Sequence, residues 1–150
     1  MYLDLLLAIL HHLLVFTLAA ALAAEFVLLR PGLAGRDLKI LSHIDGAYGG
    51  IAGAIVVVGV LRVFFGLRGW EFYAYNMFFW AKMAVFVAVA LLSVPPTIRI
   101  QRWQRAAAGS QGLYIVPEKD VKDMRRYLRL EAALFVLIPV FAAMMVRIGY

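Results

Sequence analysis

The feature that most constrains this chain is its first apolar stretch, Tyr2 to Leu29, which is long enough to cross a bilayer as a helix. Three further apolar stretches follow it. The chain is 65% hydrophobic, against about half in a soluble domain, so much of its surface is expected to face lipid. Lipid offers no hydrogen-bond partners to the backbone, which leaves only helices or closed barrels as spanning structures. These runs are too long for barrel strands, and the sequence therefore predicts an all-α membrane protein, an up-down bundle of four transmembrane helices.

The expected helix boundaries follow from the apolar runs and from the prolines. Pro95-Pro96 should end the third helix. Residues 98–108, where basic and apolar side chains alternate, should then lie along the membrane surface. Pro139 should kink the last helix. We therefore predict a single domain with helices at about residues 2–29, 38–65, 72–94 and 117–148.

The basic residues predict the orientation of the bundle. Most of the 15 lysine and arginine residues lie on the first and third connections, which the positive-inside rule places in the cytoplasm. Both termini should then lie outside, in a multi-pass protein of the bacterial inner membrane. Topology and anionic lipid headgroups account for the net charge of +6 without a nucleic-acid partner. A cleaved signal peptide is disfavoured, because Asp4 stands where a basic segment is expected.

A first group of ionisable side chains is expected in the outer half of the bundle, where such groups mark functional sites. It comprises His11, His12 and Lys82. Arg62 is expected near the outer surface, where it could contact Asp4 or, if the bundle binds haem, a haem propionate. A neutral imidazole in a helix bundle can serve as an axial ligand of haem iron. The simpler interpretations are a hydrogen-bonded helix contact for the histidine and a salt bridge to a carboxylate for Lys82. With no cysteine in the chain, thiolate and iron–sulfur chemistry are excluded.

Only one of the two adjacent histidines can face the bundle interior, since neighbouring helical residues point about 100° apart. His12 shares its face with Phe16 and Ala19, an alternation of aromatic and small residues that suits a ligand. His11 shares its face with Leu18 and other leucines, which is typical of lipid contact or of leucine packing. The sequence therefore predicts that His12 is the metal ligand.

A second group is expected nearer the inner surface. Glu25 and Arg30 lie at the end of the first span, and His43 and Asp45 lie in the second. We expect these four residues to form a structural charge network. A path for protons is the sharper alternative.

The second span is rich in glycine. The pair Gly49 and Gly53 has the G-x-x-x-G spacing that lets another helix, or a flat ligand, approach closely. We therefore include both glycines among the candidate cofactor-binding residues. Such a face also favours a homo-oligomer.

The chain resembles the predicted membrane protein family of domain of unknown function 2214. The features that carry this resemblance are His12 with Glu25 and Arg30, Asp45 with Tyr48 and Gly49, Gly59 with Arg62, residues 76–82, residues 93–97, and Ile138-Pro139 with residues 142–147.

The chain is also distantly similar to the membrane-embedded, haem-b-containing type of protoporphyrinogen oxidase. His12, Arg30, Trp80 and Lys82 fall in places comparable to that family's histidine, arginine, tryptophan and lysine. This resemblance implies haem b bound through His12, with Lys82 near the tetrapyrrole. The fourth span departs from that family, because it has no histidine.

Two functions are compatible with these patterns. The first is a small membrane b-type cytochrome that transfers electrons to a partner or oxidises a tetrapyrrole or quinol, with Lys82 as the candidate catalytic residue. The alternative is a non-enzymatic membrane subunit or small transporter, in which Glu25, Asp45 and Lys82 form ion pairs that hold the bundle together or carry protons. The colour of the purified protein distinguishes the two functions, because a haem-binding cytochrome is red and a protein without haem is colourless.

Overall fold

The computed structural model describes residues 2–111 and 113–148, and within these ranges the chain is helical and has no strand. Four of its helices are long and apolar enough to cross a membrane, judged by length and composition. This confirms the predicted class, an all-helical protein with four candidate membrane spans. The helices are α1 (Tyr2–Leu28), α2 (Gly35–Phe65), α3 (Gly69–Ala74), α4 (Met77–Gly109) and α5 (Glu118–Arg147).

The spanning helices form two antiparallel pairs. Helix α1 packs along α2, α4 packs along α5, and α2 and α4 join the two pairs. Residues 29–34 and residues 113–117 meet at one end of the bundle, where Val116 donates its backbone N–H to the carbonyl of Leu33 at 2.9 Å. We call this the basic end. Helix α3 lies at the opposite end, between α2 and α4.

Helix α4 differs from the prediction at the proline pair. The expected end at Pro95-Pro96 is wrong, because the helix runs through both residues to Gly109. Each proline in a helix interior costs about 3 kcal/mol. The continuation buries Ile100 and Trp103 in the core, and each large apolar side chain that is buried contributes about 1.5–3 kcal/mol. Residues 98–108 therefore form a packed helix in place of the expected surface segment.

The best-packed part of the molecule is this basic end. The helices continue there past their apolar spans and close the bundle with a hydrophobic core. Side chains from α2, α4, α5 and both connections are almost completely buried in it: Leu29, Leu33, Leu38, Leu41, Ile100, Trp103, Val116, Val121, Met124 and Leu128.

The start of the third span also differs from the prediction, which placed it at about residue 72. The aromatic segment forms the separate short helix α3, and α4 begins after Asn76. The Asn76 side chain accepts hydrogen bonds from the backbone N–H groups of Phe78 at 3.0 Å and Phe79 at 3.3 Å. Asparagine is a preferred N-cap residue, because its oxygen satisfies N–H groups that lack a partner within the helix.

Candidate functional site

The two adjacent histidines point in different directions, and their predicted orientation is wrong. His11 is half-buried and lines a cavity between the helices. His12 is exposed on the outside of the bundle, where its Nδ1 contacts the carbonyl oxygen of Ala8 at 2.6 Å. The buried face of α1 holds Leu18 and Glu25, and the helical repeat brings His11, not His12, close to that face.

We call the space beside His11 the histidine cavity, and it has a volume of about 170 Å³. All four spanning helices line the cavity, and α3 contributes Tyr73. Gly59 of α2 lines the cavity next to the imidazole, and a Cβ atom built on this glycine would lie at an ordinary contact distance of 3.7 Å from Cε1 of His11. The other walls are rich in aromatic rings and thioethers, which include Tyr73, Phe79, Met83, Phe86, Phe135 and Met145.

Two cations also border the histidine cavity. Arg62 comes from α2, and Lys82 comes from α4 with its ammonium group 5.3 Å from the ring centre of Phe79. None of the described residues that line the cavity is a carboxylate. The predicted contact between Arg62 and Asp4 is not present, since Asp4 accepts the backbone N–H of Leu67 at 3.4 Å. The cavity is therefore apolar with positive charge at its edge, which favours an anionic ligand with an apolar body.

Two polar atoms of the histidine cavity lack hydrogen-bond partners among the described residues. They are Nδ1 of His11 and Nε of Arg62, and both atoms are buried. A buried donor or acceptor without a partner costs about 1–3 kcal/mol. Such groups in a native structure call for an explanation, and a ligand or ion that binds at the site is one explanation.

A second site lies toward the basic end. The side chains of Glu25, Asp45 and Glu131 are almost completely buried, with 3%, 6% and 2% of their surface exposed. We call these three residues the carboxylate cluster. They come from α1, α2 and α5, and the charges of Asp45 and Glu131 both act on Glu25. The sequence predicted that Glu25 and Asp45 belong to one cluster, and the structure adds Glu131.

Two hydroxyl groups donate hydrogen bonds to the carboxylate cluster. Tyr48 of α2 donates to Oε1 of Glu131 at 2.5 Å. Thr97 of α4 donates to Oδ1 of Asp45 at 2.7 Å. The cluster therefore draws side chains from all four spanning helices. Among the described residues, Oε1 of Glu25 is buried and has no hydrogen-bond partner.

The two basic residues predicted for this cluster are not in it, so the predicted charge network is wrong in this respect. Arg30 pairs with Asp37 at 2.7 Å on the exposed surface. His43 is also exposed, and its Nδ1 contacts the carbonyl of Lys39 at 2.7 Å. Both side chains are exposed near the basic end, so neither bears the cost of a buried charge.

The predicted glycine face lies away from both sites. Gly49 and Gly53 are exposed on α2 and do not line the histidine cavity. A Cβ atom added to either glycine would have no neighbour within 4 Å. Neither glycine therefore mediates a helix contact within the described part of this chain, and a role in a homo-oligomer stays a prediction.

Neither site has the arrangement of a protein-bound metal ion. Within residues 2–111 and 113–148, no three histidine, aspartate or glutamate side chains are grouped so that they could hold a metal. A metal bound through His11 would therefore have to bring most of its own ligands, as the iron of a haem does.

Together these features define a four-span helical membrane protein with two separate groups of buried ionisable side chains. The chain belongs to the predicted membrane protein family DUF2214, which it matches over residues 3–149. This confirms the first resemblance found in the sequence. The comparisons with curated proteins and with solved structures found no match, and the resemblance to the haem-b oxidase has no support from them.

Proposed function

We propose that this protein is a small b-type cytochrome of the membrane that holds haem b at the histidine cavity, with His11 as an axial ligand of the iron. The observation that carries this proposal is the pairing of a buried, unpartnered imidazole nitrogen with an aromatic cavity. A histidine buried only for packing normally satisfies its ring nitrogens with hydrogen bonds. A neutral imidazole that lacks them is available for coordination.

The charges around the cavity suit the same ligand. Haem b carries two propionate groups, and Arg62 and Lys82 are the cations available to meet them. A propionate would also give the unpartnered Nε of Arg62 an acceptor, and arginine binds carboxylates through such charge-assisted bonds. Met83 and Met145 line the cavity as well, and either thioether could coordinate the iron if haem were bound there.

The size of the cavity limits how much of the haem this chain can cover. A pocket that encloses a drug-sized molecule measures roughly 300–1,000 Å³, and the histidine cavity measures about 170 Å³. Its walls include Val56 and Val60, which are exposed on the outside of the bundle. A tetrapyrrole held by His11 would therefore be only partly enclosed. The predicted homo-oligomer would supply further cover.

A bound haem would supply reversible one-electron chemistry, and the protein would set its axial ligand and surroundings. We propose electron transfer to a partner, or oxidation of a tetrapyrrole or quinol, as the activity. Lys82 remains the candidate catalytic residue, because its ammonium group borders the same cavity as His11. The proposed setting is the bacterial inner membrane, with the basic end in the cytoplasm and both termini outside.

The alternative function, a non-enzymatic membrane subunit, would require ion pairs within the membrane that hold the bundle together. Among the described residues, the salt bridges are Arg30–Asp37, Lys122–Glu118 and Arg126–Asp123, and all six side chains are at least partly exposed. None of these pairs involves a residue of the carboxylate cluster or Lys82. A bundle held together by buried ion pairs is therefore the less favoured function.

The test is the absorption spectrum of the full chain, expressed with excess haem precursor and purified in detergent. We expect a Soret band and a pyridine haemochrome spectrum of haem b. His11→Ala should lose the haem or shift the Soret band. His12→Ala is the matched control, because it removes the same side chain one residue away on the exposed face, and it should keep the wild-type spectrum.

Two results would contradict the proposal. A colourless wild-type protein would exclude a resident haem. Loss of the Soret band in His12→Ala, with retention in His11→Ala, would restore the ligand expected from the sequence and overturn the assignment of His11.

A further inference from the structure

We propose that the carboxylate cluster is a proton-binding site, in which Glu25, Asp45 and Glu131 together hold at least one exchangeable proton at neutral pH. This inference concerns the opposite half of the bundle from the histidine cavity, and it does not depend on haem. The ligand is the proton itself, which converts a carboxylate to a carboxylic acid.

The first argument is the balance of charge. The titratable groups that face Glu25 are Asp45 and Tyr48 from α2 and Glu131 from α5, while α4 contributes only the hydroxyl of Thr97. No cation among the described residues forms a salt bridge with the three carboxylates. Removing an ion from water costs several kcal/mol even after the protein relaxes. Three adjacent, buried and unpaired negative charges are therefore far less stable than a cluster that has taken up protons.

Arg125 of α5 does not neutralise the cluster. Arg125 donates to the backbone carbonyl of Leu29 at 2.5 Å, and its guanidinium lies 4.2 Å from the ring centre of Phe26. These contacts engage the cation at the last turn of α1, and it forms no salt bridge with the three carboxylates. The carboxylate cluster thus keeps an excess of acidic groups.

The second argument is the pattern of hydrogen bonds. Asp45 and Glu131 each accept a hydrogen bond from a hydroxyl group, of Thr97 and Tyr48 respectively. Glu25 is 3% exposed, and its buried Oε1 has no partner among the described residues. A carboxylate stabilised by neither cation nor hydrogen bond is the member on which a proton has the largest effect. The geometry therefore points to Glu25 as the principal proton-binding residue.

A proton fits this site better than a metal ion does. The three carboxylates are not grouped closely enough to coordinate a metal. The cluster also lies near a polar boundary. Glu25 precedes Leu29 by four residues, about 6 Å along a helix, and the Leu29 carbonyl is bound by the half-buried Arg125. A proton exchanging from the basic end would have little more than one helical turn to cross.

The experiment is infrared spectroscopy of the full chain in a detergent without carbonyl groups at neutral pH, in H2O and in D2O. A protonated carboxylic acid gives a C=O stretch separate from the amide and carboxylate bands. We expect this band in the wild-type protein, with a downshift in D2O that shows exchange. Glu25→Gln should lose the largest part of the band, and Asp45→Asn and Glu131→Gln should each change its position or area.

Glu118→Gln is the matched control, because it makes the same substitution on the exposed surface at the start of α5. It should leave the band unchanged. If Glu25→Gln does not fold, the wild-type band still tests the proposal, through its presence at neutral pH and its loss at high pH. Absence of a protonated carboxyl band from the wild type would overturn the proposal. So would a band that all three variants of the cluster retain, or one that raised Na⁺ abolishes at constant pH, which would indicate a metal cation.

Discussion

The two buried polar regions of this bundle differ in sign, packing and hydrogen bonding. The histidine cavity carries Arg62 and Lys82, is enclosed by aromatic and aliphatic walls, and leaves nitrogen atoms without partners. The carboxylate cluster carries Glu25, Asp45 and Glu131, receives two hydroxyl donors, and adjoins the best-packed core of the molecule.

This difference is the basis of our proposal that the two regions serve different ligands. A cavity with cations at its edge suits a large anion that has an apolar body. A group of buried acids that is not arranged to coordinate a metal suits a proton. Helix α1 contributes one residue to each region, and His11 and Glu25 lie 14 residues apart, about 21 Å along a helix. That separation lets each site keep its own charge without neutralising the other.

The largest effect is expected on the free energy of unfolding, when a methionine in each of the two regions is replaced by alanine. Met124 is completely buried at the basic end, whereas Met83 lines the histidine cavity and is half-buried. Met124→Ala should lower the free energy of unfolding by about 2–5 kcal/mol, because it opens a void in a closed core. Met83→Ala should cost about 1 kcal/mol. Thermal unfolding in detergent measures both, and equal losses would show that the two regions are packed alike.

The next prediction concerns the shape of the histidine cavity. Gly59→Leu should fill the space beside His11 and abolish the Soret band, since the side chain would occupy the position of the ligand. Gly59→Ala is the matched control, because its Cβ atom would make an ordinary contact of 3.7 Å with the imidazole. It should retain haem. Full haem content in Gly59→Leu would show that the ligand does not lie next to this glycine.

The smallest expected effect tests the hydrogen bonding of the carboxylate cluster. Tyr48→Phe leaves Oε1 of Glu131 without its donor, and an unsatisfied buried acceptor costs about 1–3 kcal/mol. Tyr75→Phe removes the same hydroxyl from a side chain that is 87% exposed. That control should change the stability by less than about 0.5 kcal/mol. Chemical denaturation compares the two variants, and a neutral Tyr48→Phe would mean that the hydroxyl adds nothing to the cluster.

The sequence was sufficient for the four spans, because long apolar runs have only one stable form in lipid. It was insufficient at Pro95-Pro96. The local cost of proline is visible in the sequence, whereas the burial of Ile100 and Trp103 against other helices, which offsets much of that cost, depends on the tertiary structure.

The orientation of the two histidines was open to a better prediction from the sequence. Glu25 is the one acidic residue deep in the first span, and its carboxylate had to face the protein. His11 lies 14 residues before Glu25, which is nearly four whole turns of a helix, so the two side chains share a face. His12 lies 13 residues before Glu25, and this separation is not close to a whole number of turns. The register of Glu25 thus indicates His11 as the inward residue. The choice between small and leucine-rich faces was the wrong criterion.

The sequence around Tyr48 and Thr97 does not predict that these residues donate hydrogen bonds to the carboxylate cluster. Tyr48 and Glu131 are 83 residues apart, and Thr97 and Asp45 are 52 residues apart. Their contacts follow from which helices are neighbours and from the register between them. Hydropathy and spacing within one helix do not contain that information.

The most direct test of the division between the two regions is the affinity of the purified apoprotein for haem b in two charge-neutralising variants. Arg62→Gln removes a cation from the histidine cavity, and Glu131→Gln removes an acid from the carboxylate cluster. A charge-assisted hydrogen bond contributes about 1.5–3 kcal/mol, so Arg62→Gln should raise the dissociation constant roughly tenfold or more. Glu131→Gln should leave the dissociation constant at the wild-type value. Equal weakening in both variants, or in neither, would contradict an anionic ligand held at the cationic end of this bundle.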